Sequence, residues 1–189
     1  MAKKKKTNVL IYQLKITLEN IEPAIWRKFK VKGDVTLFKL HEYIQVVMGW
    51  DDYHMHEFQI KGKKYGTPDP GGETMFGPKI NNDKKFKVGN LLSEGDVFEY
   101  VYDFGDNWRH KIEVEKVLGL EAGVDYPVCL AGRRSCPPED CGGPWGYQQM
   151  LEVLTDPEHE DYDYYCECLG DEFDAEEFDV DTVNGCLNG

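Results

Sequence analysis

The chain predicts an α+β fold, a largely antiparallel sheet with helices packed on it and concentrated near the C-terminus. Three observations carry this expectation. Apolar and polar residues alternate through much of the first two thirds, the period of half-buried strands. Two such runs, Val97 to Tyr102 and Trp108 to Val117, are joined by DFGDN, a turn-rich bridge. Helical spacing dominates only the last third, and runs of strands followed by helices are the pattern of α+β rather than βαβ architecture.

Val9 to Glu19 reads as the first strand, with Ile11, Leu14 and Ile16 apolar and Gln13, Lys15 and Thr17 between them. Ala24 to Val31 is its partner across a turn at Asn20 to Pro23. Leu37, Leu40, Ile44, Val47 and Met48 then recur at helical spacing, with Asp34 or Thr36 as the cap and Gly49 as the stop. His56 to Lys61 is a short strand, and Gly62 to Lys79, rich in Gly and Pro, is a long loop. After the 97–117 hairpin, Val128 to Arg134 adds a strand. Helices are expected over Tyr147 to Leu154 and over Ala175 to Val183, the latter capped by Asp174. An acidic, aromatic stretch lies between them. The expected organisation is a basic flexible tail, residues 1–8, and a single α+β domain, residues 9–189.

The net charge of −13 is unevenly placed: Lys3 to Lys6 cluster at the start, and Glu152 to Asp181 holds most of the excess acid. Nonspecific nucleic-acid affinity rests on cations neutralising phosphates, so this charge disfavours it. The basic start is followed by interrupted hydrophobicity with no small-residue cleavage site, and no run approaches a membrane span. A cytoplasmic protein follows, its six cysteines used as thiols or metal ligands rather than disulfides.

Three segments concentrate chemistry. In GWDDYHMHEF, His54 and His56 would share a face if the segment is strand, a spacing used by metal-ligating histidine pairs. One surface histidine and one satisfied core histidine would give the same sequence. In YDFGDNWRH, Asp103 and Asp106 are turn residues that commonly bond their own backbone. His110 shares a strand face with Trp108, Ile112 and Val114, and either aspartate is a natural partner for its ring. CPPEDCGGPWGY, from Cys136 to Tyr147, is a constrained loop feeding a helix. Cys136 and Cys141 have the outermost zinc-ligand spacing, with Cys166 and Cys168, Cys129 or a histidine available to complete a site. Buried thiols packing the loop are the alternative.

Together the three segments resemble the plasmid pRiA4b Orf-three-like family over nearly the whole chain, from Tyr12 to the final VNGCL. The resemblance implies an α+β domain without an established activity, some members being labelled insertion-element passengers or recombinase-like. Its characteristic residues fall here on His54, His56, Asp103, Asp106, Trp108, His110, Cys136 to Gly143 and Tyr147.

The leading functional expectation is a cytoplasmic binding or accessory domain with one polar cleft. His54, His56, Asp103, Asp106, His110, Glu139, Asp140 and Tyr147 would line it, and an unidentified small molecule or protein would be the partner. The alternatives are a metal-dependent hydrolase using a divalent ion such as zinc, or a nucleic-acid-associated accessory of a mobile element. The charge yields one test. Purified protein is expected not to retain duplex DNA in a mobility shift at moderate salt, where a short lysine tail is screened. A shift that survives deletion of residues 1–7 would contradict this.

Overall fold

The computed structural model describes residues 9–68, 79–169 and 173–189, without the Cys168 side chain. The 1–8 tail, most of the long loop expected before Lys79, and Cys168 as a metal ligand therefore lie outside the described residues.

Among the described residues eight strands form one sheet: β1 (Leu10–Leu18), β2 (Trp26–Lys32), β3 (His56–Ile60), β4 (Lys63–Gly66), β5 (Ile80–Asn82), β6 (Val97–Tyr102), β7 (Trp108–Gly119) and β8 (Val128–Arg133). Their spatial order is β5-β4-β3-β6-β7-β1-β2-β8. Every pairing is antiparallel except β4 with β5. The helices are α1 (Leu37–Met48), the single turn α2 (Val88–Leu91), α3 (Gly143–Val153), α4 (Tyr162–Leu169) and α5 (Val180–Asn188). The class is α+β, with helices only partly concentrated at the C-terminus because α1 lies in the first half. Among the described residues no helix is long and apolar enough to cross a membrane.

The alternation along β2 and β7 decides which side of the sheet is covered. Phe29 and Val31, and Trp108, His110, Ile112 and Val114, are buried, while the residues between them are not. On the solvated side charges pair, as in Lys28–Glu115 at 3.0 Å and Lys64–Glu57 at 2.8 Å. One apolar and one charged face is the usual economy of an antiparallel sheet.

Thr36 caps α1 by accepting from the Lys39 amide at 3.1 Å, and Gly49 ends it in the left-handed region. The buried face of α1 includes His41 and Gln45 beside Leu37, Leu40, Ile44, Val47 and Met48. Arg27 of β2, only 3% exposed, fixes the far end of this helix. Its Nε donates to the Val47 carbonyl at 2.8 Å, and its Nη1 donates to the carbonyls of Trp26 and Arg133, both at 2.9 Å. The Phe178 ring lies over the guanidinium at 4.4 Å. Gly132 makes room for that ring, since a Cβ there would stand 2.5 Å from it. Just beyond, the Asn184 carboxamide of α5 accepts from the Cys129 amide at 2.7 Å and donates to its carbonyl at 3.0 Å.

Two helices differ from the sequence reading. α3 begins at Gly143 rather than Tyr147, because Pro144 sits in the first turn, where its missing N–H costs nothing. α5 is capped by Asp179, which accepts from Thr182 at 2.6 Å. Asp174 instead makes a local turn, its carboxylate accepting from the Glu176 amide and its carbonyl from the Glu177 amide, and Phe178 docks on Arg27 before the helix begins.

Trp108 is fully buried and lies against Trp50, ring centroids 6.0 Å apart. Trp108→Ala is expected to cost about 3–5 kcal/mol in chemical denaturation. A midpoint near that of the wild type would show that this part of the core collapses without loss.

Candidate functional site

Three loops meet at one end of the sheet: residues 50–55 before β3, the turn 103–107 between β6 and β7, and residues 134–142 before α3. Asp52, Asp103, Asn107 and Asp140 in these loops all have positive φ, between 52° and 60°. Asp and Asn tolerate that region better than other side chains, and concentrated backbone strain of this kind commonly accompanies functional sites.

Specific bonds fasten the loops together. Trp50 Nε1 donates to the Pro137 carbonyl at 2.9 Å, and the Asp51 amide donates to Glu139 Oε1 at 3.0 Å. The Tyr102 hydroxyl donates to Glu139 Oε1 at 2.9 Å and accepts from the His54 amide at 3.3 Å. The Asp103 amide donates to the Met55 carbonyl at 3.0 Å, and Asp103 Oδ1 accepts from Gly105 at 2.8 Å. Asp106 Oδ2 accepts from the Gly142 amide at 3.1 Å. Gly143, at φ 70°, presses against the Asp106 carbonyl where no Cβ would fit.

The result surrounds one imidazole nitrogen with carboxylates. Asp140 Oδ1 lies 3.1 Å, Glu139 Oε2 3.6 Å and Asp103 Oδ2 3.7 Å from His54 Nε2. That nitrogen is itself buried, yet none of the three oxygens meets it in hydrogen-bonding geometry. The ligand atoms of His54, Asp103 and Asp140 all lie within 4.8 Å of one another. Donors to one ion at ~2.0–2.2 Å each would stand at most ~4.4 Å apart, so a small closure completes the set. Asp140, the exposed member, is free to supply it. Among the described residues no lysine or arginine pairs with Asp103, Glu139 or Asp140.

The other candidate residues sit elsewhere. His56 turns into the core, where its Nε2 meets Asp83 Oδ2 at 2.8 Å and its ring stacks on His41 at 3.5 Å and 14°. Asp83 itself is fully buried. Burial, reinforced by His56, lowers the His41 pKa to about 3, so that ring is neutral. The network then assigns its tautomer: Nε2–H donates to Asp52 at 2.8 Å, and Nδ1 accepts from the Tyr100 hydroxyl at 2.7 Å. Gln45 donates to that hydroxyl at 2.9 Å and accepts from the Asp52 amide at 3.2 Å.

His110 is wholly buried, edge-on to Trp50, and burial lowers its pKa to about 3. Its Nδ1 faces the Tyr100 carbonyl at 3.3 Å instead of an aspartate, because Asp103 and Asp106 are committed to loop amides. Tyr147 is buried under the 136–141 loop, its phenol pushed up to about 12 by burial. The Cys136 and Cys141 thiols are likewise pushed up to about 12 by burial, and both pack against the apolar core. Among the described residues no third donor joins them as a metal group.

Sequence reasoning did not single out Tyr102, Trp50, His41, Gln45 or Asp83. The first two carried a signal, since they adjoin DFGD and DDYH. His41 and Gln45 stand on the apolar stripe of α1 four residues apart, which is how a buried polar pair looks in sequence. Asp83 carried none.

Two neutral buried histidines make stability depend on pH. Their folded pKa lies below the unfolded value of ~6.5, so the unfolded chain binds more protons between the two. Their contribution is complete above pH 6.5 and is lost as pH falls toward 3. At pH 5 each is expected to lower stability by about 2 kcal/mol relative to pH 7.5, measured by urea denaturation. A flat profile would show that protons reach these rings in the folded state.

The sequence model of the family described as Plasmid pRiA4b ORF-3-like protein matches residues 10–182, a span containing all three site loops. Uncharacterized protein y4hQ of Sinorhizobium fredii (strain NBRC 101917 / NGR234) is 36% identical over 180 residues, covering 94% of this chain and 91% of that one. The crystal structure of MM3350 from Methanosarcina mazei Go1, a protein of unknown function, superposes with a TM-score of 0.83 at 43% identity. That match covers 93% of this chain and 98% of the other.

Proposed function

The chain belongs to the plasmid pRiA4b ORF-3-like family, and we propose that it is a binding module whose site is built for a divalent cation. His54, Asp103 and Asp140 would be the ligands and Glu139 the adjoining carboxylate. One observation carries the reading: three carboxylates converge on a single imidazole nitrogen, and no cationic side chain among the described residues is paired with them. Like charges held this close repel strongly in a partly buried setting, and a bound cation relieves the repulsion. One imidazole with carboxylate oxygens suits Mn2+ or Zn2+, whereas Ca2+ prefers six to eight oxygens. Zinc at Cys136 and Cys141 has less support, because no third donor joins them among the described residues. A cytoplasmic setting belongs to the same reading, supported by the free thiols of Cys129, Cys136, Cys141, Cys166 and Cys186.

Titration calorimetry with Mn2+ and with Zn2+, on protein purified without a metal-affinity tag, tests the proposal. About one ion per chain is expected, and a cation at 100 times its Kd should add about 2.7 kcal/mol to stability. His54→Ala and Asp103→Ala should abolish both effects while chelator-treated wild type remains folded. Binding that survives in both variants would remove the site from consideration.

A further inference from the structure

Glu139 stands apart from the three donors it adjoins. Its Oε1 is occupied by two hydrogen bonds, from the Tyr102 hydroxyl at 2.9 Å and the Asp51 amide at 3.0 Å. Its Oε2 lies 3.6 Å from His54 Nε2, with only a longer contact of 3.3 Å from Tyr102. Glu139 is not in the set whose ligand atoms all lie within 4.8 Å of one another. The phenol that restrains it is fully buried and stacked on Trp50 at 5.0 Å. The carboxylate is thus immobilised on one oxygen and open on the other. Asp103 is likewise bonded through one oxygen to the Gly105 amide, but its other oxygen falls within the converging set and that of Glu139 does not, which leaves Glu139 beside an ion rather than on it.

The charge around the site restricts what can approach. A phosphate ester would bring further negative charge against three carboxylates, which one divalent ion leaves net negative. Among the described residues no lysine or arginine pairs with these acids to hold the phosphate. A carboxylic ester or amide brings no charge and asks only for polarisation of one carbonyl oxygen. The chain neighbours of His54 suit such a compound, since Tyr53 is 73% and Met55 63% exposed. These are apolar surfaces without cationic groups.

We propose that the cation site is hydrolytic and acts on uncharged carboxylic esters or amides, with Glu139 as the proton acceptor. This rests on the cation-site reading. A water held at the site gives one proton to Glu139 Oε2, and its oxygen forms a bond to the carbonyl carbon. Collapse of the tetrahedral adduct breaks the carbon–oxygen or carbon–nitrogen bond, and the proton on Glu139 passes to the departing alkoxide or amine. A carboxylic acid and an alcohol or amine result, with one water consumed and no other reactant.

The experiment pairs calorimetry with turnover on the full chain. Wild type and Glu139→Gln are titrated with Mn2+ and assayed with p-nitrophenyl acetate and p-nitrophenyl phosphate. Glutamine keeps an oxygen for Tyr102 and Asp51, so the loop should hold. The expected result is Mn2+-dependent acetate hydrolysis that exceeds phosphate hydrolysis. It should fall by at least about 100-fold in Glu139→Gln, with Mn2+ affinity changed less than about threefold. Mn2+ binding without Mn2+-dependent turnover, or turnover unchanged in Glu139→Gln, would overturn the hydrolytic role and leave the cation site standing. Loss of Mn2+ binding in Glu139→Gln would make Glu139 a ligand and overturn its role as acceptor. Faster hydrolysis of the phosphate would overturn the substrate class. No Mn2+ binding by wild type would overturn the cation reading itself.

Discussion

The hydroxyl of Tyr102 is the point on which the three loops depend. It ends β6, is buried, and has the polar tip of an otherwise apolar ring to satisfy. It does so by donating to Glu139 in the 134–142 loop and accepting from the His54 amide in the 50–55 loop. Asp103 follows directly in the chain. One buried oxygen therefore fixes the relative places of residues that have no local reason to meet. The stacking of the same ring on Trp50, whose indole N–H holds Pro137, adds an apolar constraint to the polar one.

Behind this junction lies a layer of polar groups that an apolar core would not need. The stacked rings of His41 and His56 join α1 to β3, and each reaches a carboxylate, Asp52 and Asp83 respectively. The donors and acceptors from the Asp52 amide through Gln45, Tyr100 and His41 back to the Asp52 carboxylate run in one consistent sense. A satisfied network of this kind gives directional preference that packing alone lacks, while any break in it leaves buried groups unpaired. Because Asp52 belongs to this network through both its amide and its carboxylate, the orientation of the 50–55 loop is tied to the core.

Sequence periodicity was enough for α1 and the β6–β7 hairpin, because each is specified by local signals: a cap, an apolar stripe, a turn. It was poor where two local signals compete. Asp174 and Asp179 are both adequate helix caps, and only the fit of Phe178 against Gly132 and Arg27 decides between them. Gly143–Pro144 reads as loop, yet it forms the first turn of a helix. β4, β5 and α4 are too short or too polar to announce themselves. Of the candidate site, Asp103, Glu139 and Asp140 were legible as chemically costly residues in turns and loops, whereas His54, read as sharing a strand face with His56, lies ahead of β3. Which histidine joined them was not legible, since His54, His56 and His110 differ in burial and not in local pattern. His56 is claimed by Asp83, a contact 27 residues away along the chain that no spacing rule could supply.

The Asn184 carboxamide has a consequence beyond joining α5 to β8. β8 is the last strand on its side of the sheet, and an outer strand offers unpaired backbone groups to any other chain. By bonding both the amide and the carbonyl of Cys129, one side chain imitates the peptide group of a ninth strand and closes that position to a neighbour. Phe178, seated on Arg27, ties the same C-terminal segment to the sheet. Loosening of this segment would uncover that part of the outer strand as a template for self-association, so the final helix is a guard of the sheet edge as well as a packing element.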